Sequence, residues 1–179
     1  MGSHRKDKCR KCIGVCMEKQ TFVFDSLPKS VEELKAIRES VLTTPFMTAA
    51  LSVAVLCNYE NDRDVTYEML DFLKGPQPLS MMDKQFIRDR LSGKGYKTFS
   101  YFAGSGPQNN YVPSQPYTIT VSDNPYSYTN EGYATLYLKS SGADSERPVT
   151  LRRKGDQWFL WQITFLSDIR TPAKDDPWA

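Results

Sequence analysis

The chain has 179 residues, 25% of them charged, with a formal net charge of +2. A chain of this length fits one domain with a sizeable core, and its small net charge does not favour nucleic acid or a membrane surface as partner. No apolar run reaches the roughly 20 residues that a membrane-spanning helix needs. Three of the four cysteines cluster near the N terminus, unlike a disulfide framework, which favours a cytoplasmic protein.

Residues 1–20 begin with Met-Gly-Ser-His, which is typical of an expression tag. Cys9, Cys12 and Cys16 follow with the spacing C-x2-C-x3-C, at which thiolates can bind zinc or an iron–sulfur centre. A closed site needs a fourth ligand, but Cys57 lies in an apolar, core-like segment and the only histidine belongs to the tag. We therefore expect a flexible terminal segment without a cofactor, and we keep a metal module at the three cysteines as an alternative.

Four helices are predicted in the region that follows, and each begins at a capping signature. The signatures are Ser30 with Glu33, Thr44 before Pro45, the acidic cluster at residues 61–64, and Ser80 with Asp83. We expect the helices to end near residues 41, 57, 73 and 91. Residues 46–57 carry no charge, which predicts a helix buried on nearly every side against a sheet.

Residues 92–115 are rich in Gly, Ser, Asn and Pro, yet they include Tyr101, Phe102 and Tyr111. A structureless connection of this length is uncommon in a compact domain, and aromatic residues argue against disorder. We expect an ordered loop that packs its rings across or beside one face of the sheet. It would form either the lip of a binding site or a lid on the core.

Alternating aromatic and β-branched residues predict an antiparallel sheet in the C-terminal half. Its strands are expected at residues 117–121, 133–138, 149–153 and 158–165, and residues 21–24 form either a further strand or a hydrophobic clip. The fold class is therefore α+β, with about four N-terminal helices on one face of a C-terminal meander. The single domain spans residues 21–170, followed by an extended tail at 171–179 that Trp178 would anchor.

The dipeptide Gly155-Asp156 predicts a two-residue hairpin turn between the last two strands. Counting from this turn pairs Arg152 with Phe159 and Thr150 with Trp161. Since side chains alternate across a strand, two apolar sets face opposite ways. One set is Val149, Leu151, Trp158 and Leu160, and the other is Phe159, Trp161, Ile163 and Phe165. A sheet that is apolar on both faces should be covered on both.

The absence of a native histidine disfavours the common catalytic arrangements, because Ser-His-Asp and Cys-His sites and histidine proton shuttles all need one. The aromatic surface then favours a non-catalytic binding or protein-interaction module, whose partner is an unknown protein or a small ligand. The candidate ligand-binding residues are Tyr101, Phe102, Tyr111, Arg152, Phe159 and Trp161. Arg152 over Phe159 could equally be a cation–π pair within the fold, and the alternative is an enzyme with a small-molecule pocket.

Several phrases resemble an uncharacterised domain family of Gram-positive bacteria, many of them gut or anaerobic organisms. They are MLDFL at residues 69–73, SYFAG at 100–104, NPYSY at 124–128, GYATLYL at 132–138, LRRKG at 151–155 and DDPW at 175–178. This resemblance covers residues 45–179 and implies no known activity. More remotely, helices followed by a curved sheet ending in KGDQW resemble the cone-shaped fold of the nuclear-transport-factor-like superfamily, which contains both enzymes and binding modules.

Overall fold

The computed structural model describes residues 17–179, which form one five-stranded sheet with helices packed on it. The helices are α1 (Val31–Ala36), α2 (Pro45–Leu56), α3 (Arg63–Lys74), α4 (Met81–Leu91) and α5 (Tyr96–Phe99). The strands are β1 (Lys19–Phe24), β2 (Tyr117–Ser122), β3 (Tyr133–Leu138), β4 (Arg147–Lys154) and β5 (Gln157–Ile163). Short 3-10 helices span Arg38–Val41, Pro107–Asn109 and Ala173–Asp175. The predicted α+β class is confirmed.

The predicted capping residues begin the first four helices. The side chains of Ser30, Thr44, Asp62 and Ser80 each accept a hydrogen bond from a backbone N–H in the first turn of their helix. The first helix is shorter than predicted, because α1 ends at Ala36 and a 3-10 turn follows. A fifth helix, α5, lies inside the segment that was expected to be a loop.

All five strands are antiparallel, in the order β1-β2-β3-β4-β5. β1 precedes the helices in the chain and pairs with β2 along its whole length. Residues 21–24 are therefore part of a strand and not merely a clip. The expected separation into N-terminal helices and a C-terminal sheet holds only in part, since the helices lie between β1 and β2.

The hairpin of β4 and β5 has the predicted two-residue turn, in which Gly155 takes a positive φ of 63°. Arg152 pairs with Phe159 and Leu151 with Leu160, as expected. A β-bulge then shifts the register, so that Thr150 faces Gln162 and not Trp161. The extra residue also moves Ile163 opposite Val149, which places it on the other face from the one predicted.

The core lies between α2 and the inner face of the sheet. α2 packs against all five strands, and 11 of its 12 residues are buried. Facing it are buried aliphatic side chains from the sheet, namely Ile119, Val121, Leu136, Leu138, Val149, Leu151 and Leu160. Burial of each such side chain contributes about 1.5–3 kcal/mol, so this contact contributes strongly to the stability of the domain. Within residues 17–179, no helix is long and apolar enough to cross a membrane.

Most of the outer face of the sheet is open, but the connection after α3 covers Phe159 at the β5 edge, so the prediction that both faces would be covered holds only in part for the described residues. Thr21, Thr120 and Arg152 are exposed on this face, and Tyr133 and Tyr137 are half-buried. Only the inner face is aliphatic and fully buried. The aromatic and polar outer face satisfies the usual rule that an antiparallel sheet can face water on one side.

Residues 92–115 form a lid on the core and do not lie across the outer face. Tyr101, Phe102 and Tyr111 are only 3%, 2% and 2% exposed. The N–H of Ala103 donates to Thr118 O at 2.8 Å, and the carbonyl of Ser100 accepts from Ser141 N at 2.9 Å. The segment thus fills a gap between β2 and β3, which pair directly at only two positions.

The C-terminal tail is attached through the same segment. Tyr111 Oη donates to Arg170 O at 2.6 Å, and Lys174 N donates to Asn110 Oδ1 at 2.9 Å. Pro172 is buried, whereas Trp178 is 94% exposed. The predicted anchor role of Trp178 is therefore wrong.

Candidate ligand-binding site

A cleft opens where the outer face of the β4–β5 hairpin meets the connection between α3 and α4. Its volume is about 290 Å³. The lining residues are Lys74, Pro76, Gln77, Arg152, Arg153, Lys154, Phe159, Leu160 and Trp161. Three of the six residues proposed from the sequence, Arg152, Phe159 and Trp161, come together here. We refer to this cleft as the outer cleft.

Phe159 is positioned in the outer cleft by the end of α3. Gly75 caps the C-terminal end of this helix, and its N–H donates a hydrogen bond to Asp71 O. Its φ is positive, at 67°, which favours glycine at this position. A Cβ atom on Gly75 would lie 2.6 Å from Cε1 of Phe159, which is far closer than side chains approach. The ring therefore packs directly on the helix-terminal backbone.

Trp161 is the extra residue of the β-bulge, between Leu160 and Gln162, and it holds Arg152 by cation–π contact. The guanidinium carbon of Arg152 lies 4.6 Å from the Trp161 ring centroid and 5.4 Å from that of Tyr133. The two rings meet edge to face, with centroids 5.9 Å apart. Arg152 was expected over its cross-strand partner Phe159. It stacks instead on Trp161 and Tyr133, while the ring of Phe159 packs against Gly75.

Six of the nine lining residues were not proposed as site residues from the sequence, and Lys74 is one of them. Its Nζ donates to Trp161 O at 3.3 Å and lies 4.0 Å from a carboxylate oxygen of Asp83. The side chain is 9% exposed, so it is almost buried between α3, α4 and the edge of the sheet. A lysine in the last turn of a helix is common because it complements the helix dipole, and this pattern alone does not indicate a site.

The other three proposed residues belong to the core and not to the outer cleft. Tyr101 donates a hydrogen bond to the carbonyl of Phe165, and burial raises the pKa of its hydroxyl above the ordinary range. Phe102 meets Tyr117 edge to face at 5.8 Å, and Tyr111 stacks on Tyr96 at 5.5 Å. Their rings are not accessible to a ligand, so they take no part in a binding site on the sheet surface.

The metal hypothesis concerns Cys9, Cys12 and Cys16, which lie outside the described residues. From residue 17 onward, no three His, Cys, Asp or Glu side chains come together to hold a metal ion. Cys57 is buried, and burial raises the pKa of its thiol to about 12. It is therefore a protonated core thiol at neutral pH.

The fold and the outer cleft define a small α+β domain with a cationic, aromatic depression on one sheet face. Residues 26–173 match a domain family of unknown function, DUF6935, and the chain belongs to this family. No curated protein and no solved structure shows a significant match. Membership of an uncharacterised family is thus confirmed, while the Gram-positive range and the cone-like similarity stay predictions. The match begins after Cys16, so it does not include the cysteine cluster.

Proposed function

We propose that this protein is a non-catalytic binding module and that its ligand occupies the outer cleft. The observation that carries the proposal is the convergence of Arg152, Phe159 and Trp161 on one solvent-accessible depression. Ligand sites are concave, with apolar walls and a few convergent polar groups. The outer cleft has this character, with aromatic walls and basic side chains.

The packing of the domain supports a binding role over the enzyme alternative. That alternative predicts an enclosed pocket inside a cone-shaped sheet, but aliphatic side chains of α2 and of the inner face fill the space between helix and sheet. Tyr101, whose pKa is raised, donates to a backbone carbonyl inside the core and does not face a cleft that contains a carboxylate. Neither feature provides an acid or base beside a substrate.

The volume of the outer cleft favours a small molecule over a protein partner. Pockets for drug-sized ligands span roughly 300–1,000 Å³, and the outer cleft, at about 290 Å³, is at the lower limit. Specific protein interfaces bury about 800 Å² on each partner, far more than such a depression offers.

The cytoplasmic location predicted from the cysteine distribution is retained in this proposal, and the small net charge still does not favour nucleic acid.

A fragment screen monitored by two-dimensional proton–nitrogen correlation spectra tests the proposal. The library contains neutral, anionic and cationic compounds of one or two rings. We expect the strongest hits to shift the signals of Arg152, Phe159 and Trp161, including the Trp161 indole N–H. The replacement Trp161→Leu should abolish these shifts.

The matched control is Trp178→Leu, since Trp178 is exposed in the tail and does not line the outer cleft. It should leave every hit unchanged. A screen in which the hits cluster elsewhere, or in which none reaches the outer cleft, contradicts the proposed function.

A further inference from the structure

All charged residues that line the outer cleft are positively charged. Three of its nine lining residues are exposed and basic, namely Arg152, Arg153 and Lys154, and none of the nine is acidic. Lys74 also lines the cleft, but its ammonium group is almost buried and lies 4.0 Å from a carboxylate oxygen of Asp83. The whole chain has only two more basic than acidic residues, so this concentration of positive charge is local. A depression with one sign of charge raises the local concentration of the opposite charge.

Arg152 is the cation best placed to meet a ligand. Its guanidinium lies over Trp161 and Tyr133, and the exposed side chain makes no ion pair or hydrogen bond with any residue from 17 to 179. By contrast, Arg170 pairs with Asp144. Two aromatic rings thus position Arg152 while its N–H donors stay free, and a planar guanidinium matches an oxyanion with two parallel hydrogen bonds.

The remaining wall of the outer cleft is apolar. Phe159, Trp161 and Pro76 contribute it, and Phe159 is fixed in place by its contact with Gly75. An apolar body of one or two rings would cover these side chains and fill about 290 Å³. A bare inorganic anion would leave them in water.

We propose that the ligand of the outer cleft is a small organic anion. Its carboxylate or phosphate group pairs with Arg152, and its ring lies against Phe159 and Trp161. This inference rests on the proposed function and adds the chemical class of the ligand. A sugar or another neutral compound would leave the guanidinium without a counter-charge.

The test is a calorimetric and NMR titration with probes that share one ring. Phenylacetate is the anion, phenylacetamide is its neutral match in shape, phenethylamine is the cation, and phenyl phosphate distinguishes a phosphate from a carboxylate. Hydrogen bonds between charged groups are stronger than those to a neutral amide, so we expect the better of the two anions to bind about tenfold or more tighter than phenylacetamide. Added salt should weaken the anions and leave phenylacetamide unchanged.

Variants locate the effect at Arg152. Arg152→Gln should weaken the anions about tenfold and change phenylacetamide less than twofold. Arg152→Lys keeps the positive charge but lacks the planar guanidinium group with its parallel N–H donors. Its affinity for the anions should therefore lie between those of the unmodified protein and Arg152→Gln. The control is Arg90→Gln, because Arg90 lies over the Phe86 ring at 5.1 Å in a similar cation–π pair away from the outer cleft. It should have no effect.

The outcomes separate the two proposals. If phenylacetamide and the anions bind the outer cleft equally, the anion inference is wrong and the binding module stands. If the anions bind elsewhere and the broader library also leaves the outer cleft unshifted, the binding module itself is wrong. If Arg152→Gln and Arg152→Lys still bind the anions more tightly than phenylacetamide by the same factor as the unmodified protein, Arg152 is not the residue that pairs with the anionic group.

Discussion

The ring of Phe159 rests on the backbone of Gly75, so the end of α3 and the last strand of the sheet share one contact. Gly75 has both a positive φ of 67° and no room for a side chain. This pair joins residues 84 positions apart in the chain. It therefore connects the stability of the domain to the shape of the outer cleft.

The replacement Gly75→Ala should destabilise the domain by about 2–5 kcal/mol. The backbone of Gly75, with a φ of 67° and a ψ of −123°, lies outside the left-handed helical region and costs a residue with a side chain about 1–3 kcal/mol, and the clash with Phe159 adds to this cost. Urea unfolding measures this change. Gly93→Ala is the matched control, since Gly93 has a φ of 68° and an added methyl group there would have nothing within 4 Å. Gly93→Ala should lose only the free energy that comes from the unfavourable backbone conformation. If both variants lose the same amount of unfolding free energy, the close packing of Phe159 on Gly75 is contradicted.

Removal of the capping box of α4 should cost about 1 kcal/mol. Ser80 Oγ accepts from Asp83 N at 3.1 Å, and Ser80 N donates to Asp83 Oδ2 at 2.9 Å. Ser80→Ala breaks the first of these bonds, and thermal unfolding should show the loss. Ser92→Ala at the other end of the helix, where the side chain is exposed, should leave the melting temperature nearly unchanged. If Ser80→Ala and Ser92→Ala lower the melting temperature by similar amounts, the capping box does not stabilise α4.

The core position of the lid gives a third prediction. Phe102→Ala should destabilise the domain by about 3–5 kcal/mol, because it leaves a cavity beside Tyr117. Tyr126→Ala removes an aromatic ring that is 77% exposed and should change stability by less than about 0.5 kcal/mol. Denaturant unfolding compares the two. A small loss for Phe102→Ala would mean that residues 92–115 are a detachable loop.

Stability should decrease in alkaline solution because of Cys57. Burial raises the pKa of this thiol from 9.0 to about 12, so between these values the unfolded chain releases a proton that the folded chain retains. The free energy of unfolding then falls by about 1.4 kcal/mol per pH unit for this group. Below pH 9 the thiol is protonated in both states and contributes no pH dependence.

Unfolding experiments from pH 8 to pH 11 measure this effect, with Cys57→Ala as the comparison. The variant should show a shallower decrease above pH 9, although Tyr67, whose pKa burial raises to about 12, contributes to both proteins. If the free energy of unfolding falls equally steeply with pH in both proteins, the thiol titrates normally.

In a background with Cys9, Cys12 and Cys16 replaced by serine, Cys57 should react with a thiol reagent only after unfolding.

The sequence by itself determined the local features of this protein. Helix starts at Thr44 and Ser80, the buried α2 and the turn at Gly155 each depend on a few neighbouring residues, through capping, periodicity and backbone preference. These signals need no distant partner. The structure has each of them at the predicted position.

Only the tertiary structure decided the register beyond Leu151, the burial of Phe102 and the outer cleft itself. The bulge has no local sequence marker, and the lid became core because β2 and β3 separate and leave a gap that its rings fill. The outer cleft needs Lys74 and Gly75 beside Phe159. Such contacts join residues far apart in the chain, and their geometry depends on how whole elements pack, which no short stretch of sequence contains.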